Sequence, residues 1–224
     1  MTTTQNGTPR RVFIVDDHPV MRAGVRQLIE AEQDLAVCGE ADSVNSALEA
    51  IAKTSPDVAL VDITLRQSNG LDLIKDLQIR HPKLPVLVLS MHDEAFYAER
   101  VLRAGARGYI AKAEGSTKIV EGLRKVLDGG VFVSQRVASS MVSKIVAGSA
   151  DAGSFSVDRL SDRELQIFEL IGQGLQTRDI AQQLHLSPKT VEAHREHIKA
   201  KLDMDNASEL LAYAVKWVHF ERDK

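Results

Sequence analysis

The residues best suited to chemistry are side chains that directly follow short apolar runs. Asp16 and Asp17 follow Val-Phe-Ile-Val, Asp62 follows Val-Ala-Leu-Val, Ser90 follows Val-Leu-Val-Leu, and Lys112 follows Gly-Tyr-Ile-Ala. Three carboxylates within a few Å of each other repel by on the order of several kcal/mol, so they need a cation. Because the set contains no histidine or cysteine, it suits Mg²⁺. One carboxylate could then attack an activated phosphoryl group, with a hydroxyl and an ammonium holding the phosphoryl oxygens.

The apolar runs are also the predicted strands that would position these residues. Between Arg11 and Asp128 five such runs alternate with stretches of helical periodicity, for example Val44, Ala47, Leu48 and Ile51. Strict alternation of strand and helix predicts right-handed crossovers and a parallel sheet covered on both faces. Ligands of open parallel sheets bind outside the carboxyl ends of the strands. We therefore expect the polar residues that end the strands to meet at one rim.

The order and types of these residues resemble the receiver domains of two-component response regulators, from Arg11 to about Asp128. The resemblance implies a flavodoxin-like, doubly wound sheet of five parallel strands, in which a sensor histidine kinase phosphorylates Asp62. Ser90 and Tyr109 correspond to the switch pair, and Lys112 to the conserved lysine. The residues that the resemblance assigns to Mg²⁺ are Asp16, Asp17, Asp62 and, through its backbone carbonyl, Thr64.

The remainder of the chain predicts a linker and a small helical domain. Gly129-Gly130 precedes a helical stretch over Gln135–Val146, and the small and polar residues from Ala147 to Ser154 favour flexibility. From Leu160 onward the pattern is helical only, in four short segments. Ser161 with Glu164 forms a capping-box spacing, Thr177 is expected to cap the second helix, and Ser187-Pro188 to start the third. Two short helices joined by a tight turn suit insertion of the second into a DNA major groove.

This second region, Leu160 to Val218, resembles the LuxR-type helix-turn-helix domain of NarL/FixJ-type regulators. The matching pieces are Leu-Ser-Asp-Arg-Glu, Asp-Ile-Ala-Gln-Gln-Leu, Leu-Ser-Pro-Lys-Thr-Val-Glu-Ala-His and Ile-Lys-Ala-Lys-Leu. The resemblance implies a recognition helix over Pro188–Leu202 and a homodimer on phosphorylation or DNA binding. The domain limits that we predict are 10–130 for the receiver, 131–157 for a linker with a helix, and 158–221 for the DNA-binding domain.

The net charge of the chain is -3, so the overall charge does not favour DNA binding. The evidence for double-stranded DNA as a partner therefore comes from one segment of the chain. Between Lys189 and Leu202 there are four basic and two acidic residues. This surplus of two positive charges favours binding to phosphate. Val191, Ile198 and Leu202 recur at helical spacing and should face the core, which leaves the opposite face for DNA. The predicted backbone contacts are Lys189, Thr190, His194 and Lys199, the residues at base-facing positions are Glu192, Ala193 and Glu196, and Arg195 adds positive charge beside them.

Three alternative functions are compatible with parts of the pattern. A phosphatase would use the same aspartate chemistry, but Thr64 stands where a second catalytic carboxylate would be expected. A ligand-sensing LuxR-class activator would need an aromatic-lined pocket, and the first half has few aromatic residues. A receiver that binds proteins without phosphorylation would not need all five polar groups. We expect a non-enzymatic regulator, and a cytoplasmic one, because the polar N-terminus resembles no signal peptide and no apolar run approaches the roughly 20 residues of a membrane span.

Overall fold

The computed structural model describes residues 8–65, 68–91, 94–147 and 157–222. The chain divides into two compact units, Met1–Ser143 and Lys144–Lys224. The segment predicted to be a flexible linker lies, beyond Ala147, outside the described residues. Within the described part of the chain, every helix is too short or too polar to cross a bilayer.

The first unit is built on one parallel sheet, as the alternating pattern predicts. The strands are β1 (Arg10–Val15), β2 (Leu35–Ala41), β3 (Val58–Val61), β4 (Val86–Ser90) and β5 (Gly108–Ala111). They lie in the spatial order β2-β1-β3-β4-β5. The helices are α1 (Pro19–Glu30), α2 (Val44–Thr54), α3 (Gly70–Arg80), α4 (Glu94–Arg103), α5 (Ser116–Leu127) and α6 (Gln135–Ala147), the last of which belongs to this unit up to Ser143.

The sheet is buried because its strands are apolar on both faces. Every residue of β3 and β4 is buried, which is the pattern of a parallel sheet covered by helices on each side. Helix α5 contributes its apolar side to this core through Ile119, Leu123 and Val126. The prediction of a doubly wound, five-stranded parallel sheet is confirmed.

Strand register brings the ends of β1, β3, β4 and β5 to one edge. The last paired residues of β1 and β3 are Val15 and Val61, so Asp16 and Asp62 follow them side by side. The amide of Asp62 donates to the carbonyl of Val15 at 2.8 Å. At the other side, Ser90 pairs with Ala111, the residue before Lys112. The order of the strands reverses between β1 and β3, which is where ligands of such sheets bind.

Two features of the first unit lie outside what the periodicity predicts. Thr64–Leu65 pairs with Ser68–Asn69 in a short antiparallel hairpin after β3. Phe132 extends the sheet edge beside β5, because its carbonyl accepts from the amide of Tyr109 at 2.8 Å and its amide donates to Arg107 at 2.9 Å. Both are pairings of very short segments, which carry no periodic signal of their own.

Within its described residues, the second unit is helical, with a 3-10 turn at Val157–Arg159 before the first α-helix. The helices are α7 (Asp162–Gly172), α8 (Thr177–Gln183), α9 (Pro188–Lys201) and α10 (Ala207–Arg222). Phe168 of α7 packs against Trp217 and Tyr213 of α10, with ring centroids 5.4 and 5.7 Å apart. The apolar stripe of α9 is buried as predicted, with Val191, Ile198 and Leu202 all fully inaccessible. The predicted small all-α domain is confirmed.

The helix starts of the second unit follow local side-chain chemistry, with one correction. Ser161 and Glu164 form the predicted capping box of α7, and Ser187 caps α9 by accepting from the amide of Thr190. The expectation that Thr177 caps α8 is wrong. Gln176 occupies the N-cap position and makes no side-chain cap, so Thr177 is the first helical residue.

Two glycines give a matched test of close packing in the first unit. A Cβ at Gly70 would lie 2.3 Å from the carbonyl oxygen of Asp62, and this clash could be relieved only by moving the backbone. A Cβ at Gly24 would meet nothing within 4 Å. Gly70→Ala should lower the free energy of unfolding by about 1–3 kcal/mol, and Gly24→Ala should raise it by about 0.5–1 kcal/mol. Urea unfolding followed by circular dichroism measures both. Equal shifts in the two variants would contradict the close approach at Gly70.

Candidate functional site

The strand ends converge on a group of charged side chains that we call the acidic pocket: Asp16, Asp17, Asp62 and Lys112. The three aspartates are 7% exposed or less, and the Lys112 side chain is 3% exposed. The Lys112 ammonium donates to Asp62 Oδ2 at 2.6 Å and to Asp16 Oδ2 at 2.9 Å. Ser90, at the end of β4, is completely buried at the same edge of the sheet.

The loops after β1 and β3 fix the orientation of the carboxylates. Asp62 Oδ1 accepts from the amide of Thr64 at 3.0 Å, and Asp16 Oδ1 accepts from the amide of His18 at 2.7 Å. The His18 imidazole lies 2.7 Å from Asp17 Oδ1. Backbone amides of their own loops therefore orient Asp16 and Asp62, and Lys112 joins these two loops, which are far apart in the chain.

Burial and neighbouring charges act in opposite directions on the pKa values of Asp62 and Lys112. Burial raises the pKa of Asp62 above its ordinary value, and the Lys112 ammonium offsets part of that rise. Burial acts to lower the pKa of Lys112, but the carboxylates of Asp62 and Asp16 outweigh it and raise that pKa. The Lys112 ammonium contacts two of the three buried carboxylates, those of Asp16 and Asp62. Oxygen atoms of all three carboxylates, with His18, lie within 4.8 Å of one another, so the donor set fits a small divalent cation.

The two residues predicted as a switch pair are both interior. Tyr109 is 1% exposed and lies on β5, where it pairs with Val88 of the neighbouring strand. Ser90 lies two residues further along that strand, at the edge with the acidic pocket. A second buried tyrosine, Tyr97 of α4, is fully inaccessible and was not singled out from the sequence. Its place in a helical stripe gave only the signal of a core residue.

Helix α9 of the second unit presents a solvent-exposed stripe opposite its buried one. Four of the eight residues predicted to contact DNA are exposed on it, and four are half-buried at its margins. The exposed residues are Lys189, Glu192, Ala193 and Glu196, and the half-buried residues are Thr190, His194, Arg195 and Lys199. His197 and Ala200 are also exposed here and were missed. A helical wheel of Pro188–Leu202 places them with Glu196 and Ala193, so the signal was available.

Three of the four half-buried residues of α9, Thr190, His194 and Lys199, contact or face other groups of the helix or the domain. The hydroxyls of Thr190 and Ser187 lie 2.7 Å apart, so Thr190 belongs to the N-terminal cap. Lys199 pairs with Glu196 at 2.9 Å on the same helix. His194 is turned toward Glu164 of α7, and desolvation lowers its pKa. Its imidazole is therefore directed into the domain more than toward a bound duplex.

Glu164, His194 and His197 could by spacing hold a metal ion, but their charge environment argues against it. Lys201 donates to Glu164 Oε2 at 2.6 Å, and the amide of Ser161 donates to the same oxygen at 2.7 Å. Although burial acts to raise the pKa of Glu164, these contacts hold it below its ordinary value. The only carboxylate of the group is thus already neutralised. We assign Glu164 and Lys201 to anchoring α9 on α7.

Comparisons with known proteins cover both units. Residues 12–124 match the family model for the response regulator receiver domain, and residues 158–214 match the model for bacterial regulatory proteins of the luxR family. The oxygen regulatory protein NreC of Staphylococcus haemolyticus is 34% identical over 212 residues, which cover 92% of this chain and 97% of NreC. The transcriptional regulatory protein DegU of Brevibacillus brevis is 29% identical over 233 residues, with 97% and 99% covered.

The chain belongs to the response regulators of the NarL/FixJ type.

Solved structures of response regulators agree with this assignment. RcsB of Salmonella enterica serovar Typhimurium, bound to promoter P1flhDC in the presence of phosphomimetic BeF3-, matches with a TM-score of 0.60 and 26% identity over 92% of this response regulator and 98% of RcsB. ChrA, the response regulator of a heme-sensing two-component system, matches with a TM-score of 0.51 and 28% identity over 93% and 98% of the two chains. The acidic pocket of this response regulator lies within the receiver match, and α9 within the luxR match.

The raised pKa of Asp62 predicts the effect of neutralising it in this response regulator. A carboxyl whose pKa is raised by folding stabilises the fold when protonated, and that stability is lost as the pH rises through the raised pKa. At neutral pH without divalent cations, Asp62→Asn should therefore raise the unfolding temperature by a few degrees, roughly 1 kcal/mol, and the gain should shrink at acidic pH. Calorimetry in a chelator measures it, with exposed Asp72→Asn as control. A lower unfolding temperature for Asp62→Asn would contradict the assignment.

Proposed function

We propose that this chain is a DNA-binding transcriptional response regulator that is switched when a sensor histidine kinase phosphorylates Asp62. The observation that carries the proposal is the Lys112 ammonium held between Asp16 and Asp62 in a buried acidic pocket, within a receiver-type sequence. The receiver is proposed to span 10–130, a linker with a helix 131–157, and the DNA-binding domain 158–221. The matched ranges 12–124 and 158–214 lie within the two proposed domains, and residues 131–143 of the proposed linker belong to the first compact unit.

In the phosphorylation step, the N–P bond of the kinase phosphohistidine breaks and a carboxylate oxygen of Asp62 bonds to phosphorus. Asp62 suits this role because Lys112 and the amide of Thr64 hold its two oxygens in a fixed orientation. After transfer, the Lys112 ammonium can pair with a phosphoryl oxygen, and the Ser90 hydroxyl can donate to another. The resulting pull on Ser90 and the buried Tyr109 is proposed to shift the population of two receiver states.

Mg²⁺ is the proposed cofactor of this step. It would be held by Asp16, Asp17, Asp62 and the backbone carbonyl of Thr64, and it supplies positive charge that offsets the carboxylates and the incoming phosphoryl oxygens. The fit rests on three buried carboxylates, of which the Lys112 ammonium contacts only two, those of Asp16 and Asp62. The His18 side chain contacts Asp16 and Asp17 but is 58% exposed, and we give it no role in phosphoryl transfer.

The output is proposed to be sequence-specific binding of double-stranded DNA by a homodimer. The exposed stripe of α9 would enter the major groove, with Lys189 on the phosphate backbone and Glu192, Ala193 and Glu196 toward base edges. Thr190, His194, Arg195 and Lys199 flank that stripe and would contribute backbone contacts. Two copies would bind half-sites about one helical turn apart. RcsB, which is similar along its length, is described with promoter DNA and a phosphomimetic, which supports the same output here.

We propose a non-enzymatic, cytoplasmic regulator, in which the acyl phosphate acts as a signal and is not turned over on a separate substrate. Thr64 stands two residues after Asp62, so this loop offers no second carboxylate for phosphatase chemistry at that position. A phosphodonor that is a cytoplasmic kinase domain requires the regulator in the same compartment.

Small-molecule phosphorylation tests the acceptor. Acetyl phosphate with Mg²⁺ should add one acid-labile phosphoryl group per chain to wild type and to the surface control Asp72→Asn. Asp62→Asn should accept none, because it lacks the nucleophilic oxygen anion. Intact-protein mass spectrometry measures the modification. Phosphorylation of Asp62→Asn to the wild-type level would refute the acceptor assignment.

Two α9 variants distinguish positioning contacts from base recognition. With phosphorylated protein, Lys189→Ala should weaken binding to all sequences alike and reduce the salt dependence by about one counterion. Glu196→Ala should instead change the sequence preference, by about 1–3 kcal/mol at the base pair it contacts. Mobility shifts on selected and random duplexes over a salt series measure both effects. Equal affinity of the wild type for every sequence would contradict the proposed output.

A further inference from the structure

Arg22 of α1 reaches back to the loop that carries the first two pocket aspartates. Its Nη1 donates to the backbone carbonyl of Asp16 at 2.5 Å, and its side chain is 20% exposed. In the described part of the chain, Arg22 hydrogen-bonds to the Asp16 carbonyl and to Glu40, and to no carboxylate of the acidic pocket. Arg22 was not selected from the sequence, because an arginine six residues after Asp16 on an amphipathic helix is an ordinary surface residue.

The guanidinium of Arg22 is itself held by an anchor on a neighbouring strand. Glu40 of β2 accepts from Arg22 Nε at 3.3 Å through Oε2 and from Arg26 Nε at 2.6 Å through Oε1. Glu40 is paired in register with Ile14 of β1, two residues before Asp16. Both carboxylate oxygens of Glu40 accept from arginines, and its backbone belongs to the sheet. Glu40 therefore holds the Arg22 guanidinium in a defined position.

Asp16 is therefore constrained at every polar group that the structure shows. Its amide donates to Ala41, its Oδ1 accepts from His18, its Oδ2 accepts from Lys112, and its carbonyl accepts from Arg22. The carbonyl contact is the one that fixes the peptide plane between Asp16 and Asp17. That plane sets the direction in which the Asp17 side chain leaves the backbone. A charge-assisted hydrogen bond at this point is a strong restraint on the loop.

We propose that Arg22, anchored by Glu40, is a positioning residue for the acidic pocket. It fixes the Asp16-Asp17 backbone and so sets the affinity of the pocket for a divalent cation, without contacting the cation or the phosphoryl group. The proposal rests on the function proposed above for the pocket. It predicts a split in kinetics: loss of Arg22 raises the Mg²⁺ concentration needed for phosphorylation and leaves the rate at saturating Mg²⁺ unchanged.

Arg26 provides a matched control, because it contacts the same Glu40 but not Asp16. The test uses the full chain and Mn²⁺ as the probe, with bound and free Mn²⁺ separated by electron paramagnetic resonance. Arg22→Gln should weaken Mn²⁺ binding about tenfold, the lower end of the effect seen when a partner behind a metal ligand is removed. Arg26→Gln should leave the affinity close to that of wild type. The half-saturating Mg²⁺ for acetyl phosphate should rise by the same factor only in Arg22→Gln.

Arg22→Lys separates geometry from charge. The lysine keeps the positive charge near the pocket but lacks the guanidinium nitrogens that contact Asp16 and Glu40 together. Arg22→Lys should therefore weaken Mn²⁺ binding as Arg22→Gln does. If Arg22 acted only through its charge, Arg22→Gln would bind Mn²⁺ more tightly and Arg22→Lys would match wild type, which would overturn the proposal. A loss of thermal stability with unchanged Mn²⁺ affinity would also overturn it, as would equal losses of affinity in Arg22→Gln and Arg26→Gln.

Comparing the wild type with Asp16→Asn distinguishes failure of the function proposed for the pocket from failure of the role proposed for Arg22. If wild type binds Mn²⁺ no better than Asp16→Asn, or takes no phosphoryl group, the function proposed for the pocket fails. If wild type binds and Arg22→Gln binds equally well, the pocket stands and only the positioning role of Arg22 fails.

Discussion

The Lys112 ammonium bridges two buried carboxylates that belong to separate loops, and the rest of the acidic pocket depends on this contact. Without it, Asp16 and Asp62 would be buried anions at the end of an apolar sheet, an arrangement whose cost folding could not easily offset. With it, the pocket still has more negative than positive charge. That residual negative charge favours a divalent cation, which would in turn offset the negative charge of an incoming phosphoryl group.

The sheet makes this contact possible through register. The pairing of Val15 with Val61 places Asp16 beside Asp62, and the pairing of Ser90 with Ala111 places Lys112 one residue beyond the end of its strand. A shift of one residue in either pairing would direct these side chains to the other face of the sheet. The apolar residues of the strands therefore serve the chemistry indirectly, because their burial specifies the register.

Much of this could be predicted from sequence because the signals are local and periodic. Continuous apolar runs gave the strands, and the polar residues that end them gave the pocket. The contact from Arg22 to Asp16 could not be predicted, because it joins a helix side chain to a loop carbonyl and depends on the position of Glu40 in another strand. In α9, the buried stripe followed from spacing, but the inward direction of His194 depends on Glu164 of a different helix. Very short pairings, such as Phe132 beside β5, left no periodic trace.

We propose that the pocket directs phosphoryl transfer to the carboxylate of Asp62 and not to the neighbouring carboxylates of Asp16 and Asp17. Reduction of the phosphorylated protein with borohydride converts an aspartyl phosphate to homoserine, and peptide mass spectrometry then locates it. We predict homoserine at position 62 and unmodified aspartate at positions 16 and 17. Homoserine at either of those positions, or a phosphoryl group retained elsewhere after reduction, would contradict it.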